Sequence, residues 1–241
     1  ARADRGGSSG YGDFNADYIG YNVIAQQTAA RIHQVGFSLQ ELKTVNDYPA
    51  IVGYIYAITL PEMLIGQLFA VWLAVISVLL VYLIVIEIGG TEKHAFLIGL
   101  ITAIYPSYLF YGSLLLKDTL VIPLVLAGLL LTVKLIKNFS WKNFLILYIV
   151  LAGATHFRFY VGYALLATFV ISWFLFSKTD FKKRITYGII FIVLLGFIPQ
   201  FAAGQGYYGS DSFKTYLNSG TVNFYRQVAY TPPTATPVAT P

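Results

Sequence analysis

Between residues 63 and 201 the sequence passes through six apolar stretches, each divided from the next by a short turn carrying charge or glycine. No other feature constrains the fold as much. In hydrocarbon each backbone N–H and C=O must find its partner within the segment, so an apolar run of about 20 residues is read as a membrane-crossing helix. The expected spans are 63–88, 95–111, 119–136, 144–155, 160–176 and 185–201. Several fall short of that length, so tilt or partial burial is expected. Composition agrees, with 11% charged residues against the roughly 25% usual in a soluble domain. The fold class is therefore all-α and integral to the membrane: a polytopic helical bundle of about six transmembrane helices.

The flanking segments read differently. Residues 1–12 are polar and Gly/Ser-rich and are expected to be flexible. From 13 to 35 an amphipathic helix is expected, its face formed by Tyr18, Tyr21, Val23, Ile24, Ala25, Ala29 and Ile32. Gly36 suits its C-cap, and Ser38 the N-cap of a short turn reaching Leu42. The apolar stretch 46–58 is bounded by prolines and too short to cross, which fits an interfacial or re-entrant helix. Three regions follow: a non-cytoplasmic loop with two helices over 1–62, the bundle over 63–201, and an outer polar segment with a disordered Thr/Pro-rich tail over 202–241. Both ends read as cut, so a fragment that has lost an upstream span is expected.

The charges in the turns alternate. Lys93, then Lys134, Lys137 and Lys142, then Lys178, Lys182, Lys183 and Arg184 occupy every second turn, which the positive-inside rule assigns to the cytoplasm. Asp13, Asp17, Asp47, Lys117, Asp118, His156 and Arg158 then share the opposite face. Chemistry is expected there, at the non-cytoplasmic boundary of a multi-pass membrane protein (the plasma membrane in a prokaryote). The net charge of +5 is accounted for by these orienting residues, so nucleic acid is not an expected partner. The absence of cysteine excludes disulfides, thiolate nucleophiles and Cys-based metal sites. No phosphate-binding glycine loop or Gly-x-Ser-x-Gly nucleophile is present.

Few residues remain that can do chemistry. Asp17, Tyr21 and Ala25 are spaced by four, so a carboxylate heads a stripe of aromatic and small side chains, with Asp13 one turn upstream. Such an acid can deprotonate a hydroxyl acceptor, or it can simply be a helix N-cap. Arg158, between Phe157 and Phe159, has the planar fork that grips phosphate, or it is an arginine snorkelling from a helix end. Lys117 offers a point charge for the same purpose, with Asp118 as its partner or as a further site residue. Asp47, Tyr21 and His156 are supporting candidates. The histidines show no ligand spacing with carboxylates, so no metal or other cofactor is called for, although a divalent ion is left open.

The order of these features is similar to one family. An outer Asp-x-x-x-Tyr-x-x-x-Ala helix precedes Asp47-Tyr48-Pro49-Ala50, a long span, the Pro-Ser to Lys-Asp stretch from Pro106 to Asp118, and the Arg158-Phe159-Tyr160 turn. This resembles the GT-C glycosyltransferases that use lipid-phosphate sugars, the branch of protein O-mannosyltransferase-like and aminoarabinose-transferase-like enzymes. The resemblance implies a polyprenyl-phosphate-linked sugar donor and a glycan, lipid or protein acceptor. It implies a first-loop acid as base, falling on Asp17 or Asp13, and basic residues holding the lipid phosphate, falling on Lys117 and Arg158. The rival readings are a transporter or lipid-handling protein whose charges line a pathway, and a membrane-anchored structural subunit.

Overall fold

The computed structural model describes residues 14–36, 47–198 and 200. Among these every element is a helix: α1 Phe14–Val35, α2 Asp47–Ile58, α3 Met63–Glu87, α4 Glu92–Ile104, α5 Pro106–Gly112, α6 Asp118–Lys137, α7 Trp141–Phe157, α8 Phe159–Phe176 and α9 Phe181–Gly196. The expectations for 1–12, the Ser38–Leu42 turn and 202–241 lie outside the described residues.

α1 buries Ala25, Thr28, Ala29 and Ile32, a stripe with the i, i+3, i+4, i+7 spacing of one helical face. Val23 lies off that stripe and is exposed, so the buried face is narrower than the sequence pattern suggested. Gly36 ends the helix with φ at +90°, and its N–H reaches Ile32 O at 2.9 Å. That left-handed cap is what glycine supplies without strain. α1 packs on α2 at Gly53, where an added Cβ would stand 2.6 Å from Thr28 Cβ. Tyr48, Val52 and Tyr56 of α2 complete the small core under this pair, together with Leu115 from the chain just before α6.

Among the described residues three helices, α3, α6 and α8, are long and apolar enough to cross a bilayer alone. α4 and α5 together make a fourth crossing if counted as one span, bent by 64°. The sequence pattern suggested an unbroken helix there. Pro106 explains the break: it starts α5 and pushes Tyr105 out of the helical region to ψ 120°. α7 and α9 have 17 and 16 residues, shorter than a usual span. Along α3, Leu64, Leu68, Val71, Trp72, Val75 and Leu79 are exposed, an apolar stripe directed outward as lipid-facing helices require.

The helix ends sort by charge. Lys137 at the end of α6 pairs with Glu87 at the end of α3, Nζ to Oε1 3.4 Å, and the Lys178 N–H donates to Ile136 O at 3.2 Å. The turns rich in lysine therefore gather at one end of the bundle. Around them an aromatic core joins α7, α8 and α9, with Phe144, Phe169, Trp173 and Phe191 buried. At the other end stand the start of α6 and the α7–α8 turn.

Candidate functional site

Asp118 opens α6, where a negative side chain is favoured by the free N–H groups and dipole of the first turn. The turn is held by its own backbone: Lys117 O accepts from the N–H groups of Leu120 and Val121 at 3.1 and 3.2 Å. The Thr119 hydroxyl donates to Leu116 O at 2.6 Å.

Forty residues later the chain delivers the partner. Arg158 closes α7 and opens α8. Its N–H donates to Ala154 O at 2.9 Å, and its carbonyl accepts from Val161 and Gly162, both at 3.0 Å. The hairpin closes this tightly because Gly162 has no side chain. A Cβ there would fall 2.5 Å from Thr155 Cα. Sequence and packing together thus fix where the guanidinium starts.

The guanidinium reaches across to α6. Nη2 lies 2.5 Å from Asp118 Oδ1 and donates to Oδ2 at 2.7 Å. Nη1 donates to the Tyr160 hydroxyl, and the Tyr160 ring centroid is 5.7 Å from Cζ. Nε is buried without a hydrogen-bond partner among the described residues. Burial disfavours the charge on Arg158, but Tyr160 and Asp118 outweigh it and push the pKa up, so the group stays cationic. The Asp118 side chain remains half exposed, at 50%.

Asp118 also lines a partly open cleft of about 470 Å³ between α3, α5 and the start of α6. Its walls include Ala74, Ser77, Tyr108, Tyr111, Val121 and Ile122, with Tyr105 and Ser107 at the helix break. Tyr108 is held in the wall by donating to Ala74 O at 2.8 Å. The broken helix thus shapes the cavity: a straight α4–α5 span would carry these tyrosines elsewhere.

The sequence candidates fare unequally. Arg158 and Asp118 are brought together, whereas a pair between Lys117 and Asp118 is not formed. Asp118 turns instead to Arg158, whose Nη2 reaches both its oxygens, and Lys117, partly buried, has no ion-pair partner among the described residues. His156 is exposed on the last turn of α7, with its ring 5.3 Å from that of Phe157. Tyr21 packs edge-on against Tyr48 at 5.7 Å, and the Tyr48 hydroxyl lies 3.4 Å from Thr119 Oγ1. This relay ties α1 and α2 to the residue beside Asp118. Asp13 lies outside the described residues, and Asp17 and Asp47 are placed only as backbone in the first turns of α1 and α2. No three His, Asp or Glu side chains group as metal ligands among the described residues.

Two participants were not singled out from sequence. Tyr160 was visible only as an aromatic neighbour of Arg158; its spacing of two, across a helix start, is what lets it cover the guanidinium. Thr119 carried no signal at all, since a threonine in a first turn is ordinary.

The model of the dolichyl-phosphate-mannose-protein mannosyltransferase family matches residues 48–202, a stretch that contains Lys117, Asp118, Arg158 and the cleft. The chain belongs to that family. Neither a curated protein nor a solved structure matches it. Membership makes it a GT-C-type membrane glycosyltransferase that draws on a polyprenyl-phosphate sugar donor. The mannosyltransferase match begins at Tyr48, so it takes in the basic residues and leaves α1, with Asp17, outside.

Proposed function

We propose that this chain transfers a sugar from a polyprenyl-phosphate donor to an acceptor at the non-cytoplasmic face, with Lys117 and Arg158 at the donor phosphate. The observation that carries this reading is the pairing of the Arg158 guanidinium with Asp118 at the rim of an apolar-walled cleft. Phosphate binding needs cations held in place, and Arg158 is fixed by its backbone, Tyr160 and Asp118. A polyprenyl chain needs an apolar path beside them, which Val121, Ile122 and Ala74 offer.

The chemistry is a direct displacement. The acceptor oxygen attacks the anomeric carbon, the bond from that carbon to the phosphate oxygen breaks, and its electron pair leaves on the phosphate. A carboxylate takes the acceptor's proton. Lys117 and Arg158 stabilise the charge that grows on the leaving phosphate. Asp17, or Asp13, is the acid assigned to the acceptor. Its support is the packing of α1 through Tyr21 and Tyr48 onto Thr119, which brings the first turns of α1 toward this end of the bundle. The alternation of lysine-rich turns supports the non-cytoplasmic placement.

Sugar transfer from a polyprenyl-phosphate donor, measured with the full-length protein in membranes, tests the assignment. Arg158→Gln is expected to lower transfer by about 10²- to 10³-fold, and Asp17→Asn to abolish it, with membrane insertion intact in both. Unchanged transfer in Arg158→Gln would remove the donor site. Unchanged transfer in both Asp17→Asn and Asp13→Asn would remove the base.

A further inference from the structure

A site meant only to attract phosphate has no need of a carboxylate, yet Asp118 both engages Arg158 and lines the cleft. With Lys117 and Arg158 cationic, Asp118 brings the group to one net positive charge. A donor phosphodiester carries one negative charge. Once the sugar leaves, the freed monoester carries a second charge above its second pKa of about 6. Two uncompensated cations would therefore hold the spent carrier more tightly than the incoming donor.

We propose that Asp118 is a specificity residue that matches the site's charge to the phosphodiester monoanion and limits retention of the spent phosphate monoester. This rests on the donor site proposed above. Electrostatics makes the effect sizeable because Asp118 meets Arg158 at the bundle end, partly shielded from water: the Arg158 side chain is 26% and the Asp118 side chain 50% exposed. A second role, aiming Arg158, is separable. Asparagine keeps an oxygen for Nη2 but removes the charge.

The test compares two probes on the full-length protein in nanodiscs: undecaprenyl phosphate, and its methyl diester, which has no second ionisation. Asp118→Asn is expected to strengthen monoester binding relative to diester by about tenfold at about pH 8, with the gain vanishing near pH 5, where the monoester keeps a single charge. Lys117→Gln is expected to shift the same ratio the other way. The diester reports any titration of the protein's own neighbouring groups: His156 before the turn, Tyr160 on Arg158, Tyr48 behind Thr119, and Tyr105, Tyr108 and Tyr111 around the cleft. A purely positional Asp118 would weaken both probes alike and leave no pH signature. An unchanged ratio in both variants, with both probes still bound, overturns the role of Asp118 alone. Failure of wild type to bind either probe overturns the donor site itself, and this inference with it.

Discussion

Two arginines at opposite ends of the bundle show how one residue type serves two purposes. Arg184, at the lysine-rich end, directs its guanidinium at backbone: it donates to the Ser177 carbonyl, and to those of Phe174 and Thr179, each at 3.4 Å. It closes the C-terminal end of α8, where unpaired carbonyls await a donor. Trp173 returns the contact, its indole N–H donating to Arg184 O at 3.0 Å. Arg158 has an acid and an exposed tyrosine instead. Both leave Nε without a partner among the described residues, so that feature does not separate them. What separates them is the replaceability of their partners. Helix carbonyls are fixed, whereas a half-exposed carboxylate and a surface phenol can yield to an anion.

The comparison breaks first at its packing. Trp173→Ala empties a fully buried indole site among Phe139, Phe169 and Phe191. It should cost about 3–5 kcal/mol, read as a fall in unfolding temperature in detergent, while the fraction that stays folded keeps its transfer rate. Gly162→Ala attacks the other end. Its Cβ would press on the Thr155 backbone, so a loss of about 1–3 kcal/mol or more is expected. Because the strain falls within the turn that carries Arg158, transfer per folded molecule should drop as well.

The sharper contrast comes from exchanging each arginine for lysine. Arg184→Lys should lower stability by about 1 kcal/mol through lost carbonyl contacts and leave transfer unaffected. Arg158→Lys should leave the unfolding temperature nearly unchanged and reduce transfer at least tenfold, since an ammonium cannot reproduce the planar fork. Equal effects of the two substitutions on both readouts would erase the distinction.

The smallest effect concerns the relay from α2. Burial raises the Tyr48 pKa from 10.0 to about 12, partly offset by its hydrogen bond with Thr119. A group whose pKa rises on folding stabilises the fold fully below its unfolded value and loses that contribution as pH climbs through the folded value. Alkaline unfolding between about pH 10 and 12 should therefore carry a Tyr48 component that Tyr48→Phe removes. At neutral pH the same substitution should cost about 1 kcal/mol or less.

Much of this molecule could be read before it was seen. Apolar runs marked the bundle helices, because a membrane leaves the backbone no other way to satisfy itself. The sequence boundaries of α1, α2, α3, α6 and α8 agree with the helices to within a few residues, and Gly36 sits where a C-cap was expected. Pro106 lay in plain view inside an expected span, yet the run's overall apolarity masked the break it causes. Arg158 and Lys117 were legible as cations at helix ends. Which of them Asp118 would engage was not, since chain neighbours suggested Lys117 while the partner stood 40 residues away.

The chain by itself determined that it forms a helical membrane protein with its lysines gathered on alternate turns, because hydrophobicity and charge act through each segment separately. Tertiary structure decided the rest: that α4 and α5 bend to make a cleft, that Gly162 lets the α7–α8 hairpin close, and that Asp118 meets Arg158 rather than its chain neighbour Lys117. These depend on distances between segments far apart in sequence. Such distances follow from how the helices pack against one another.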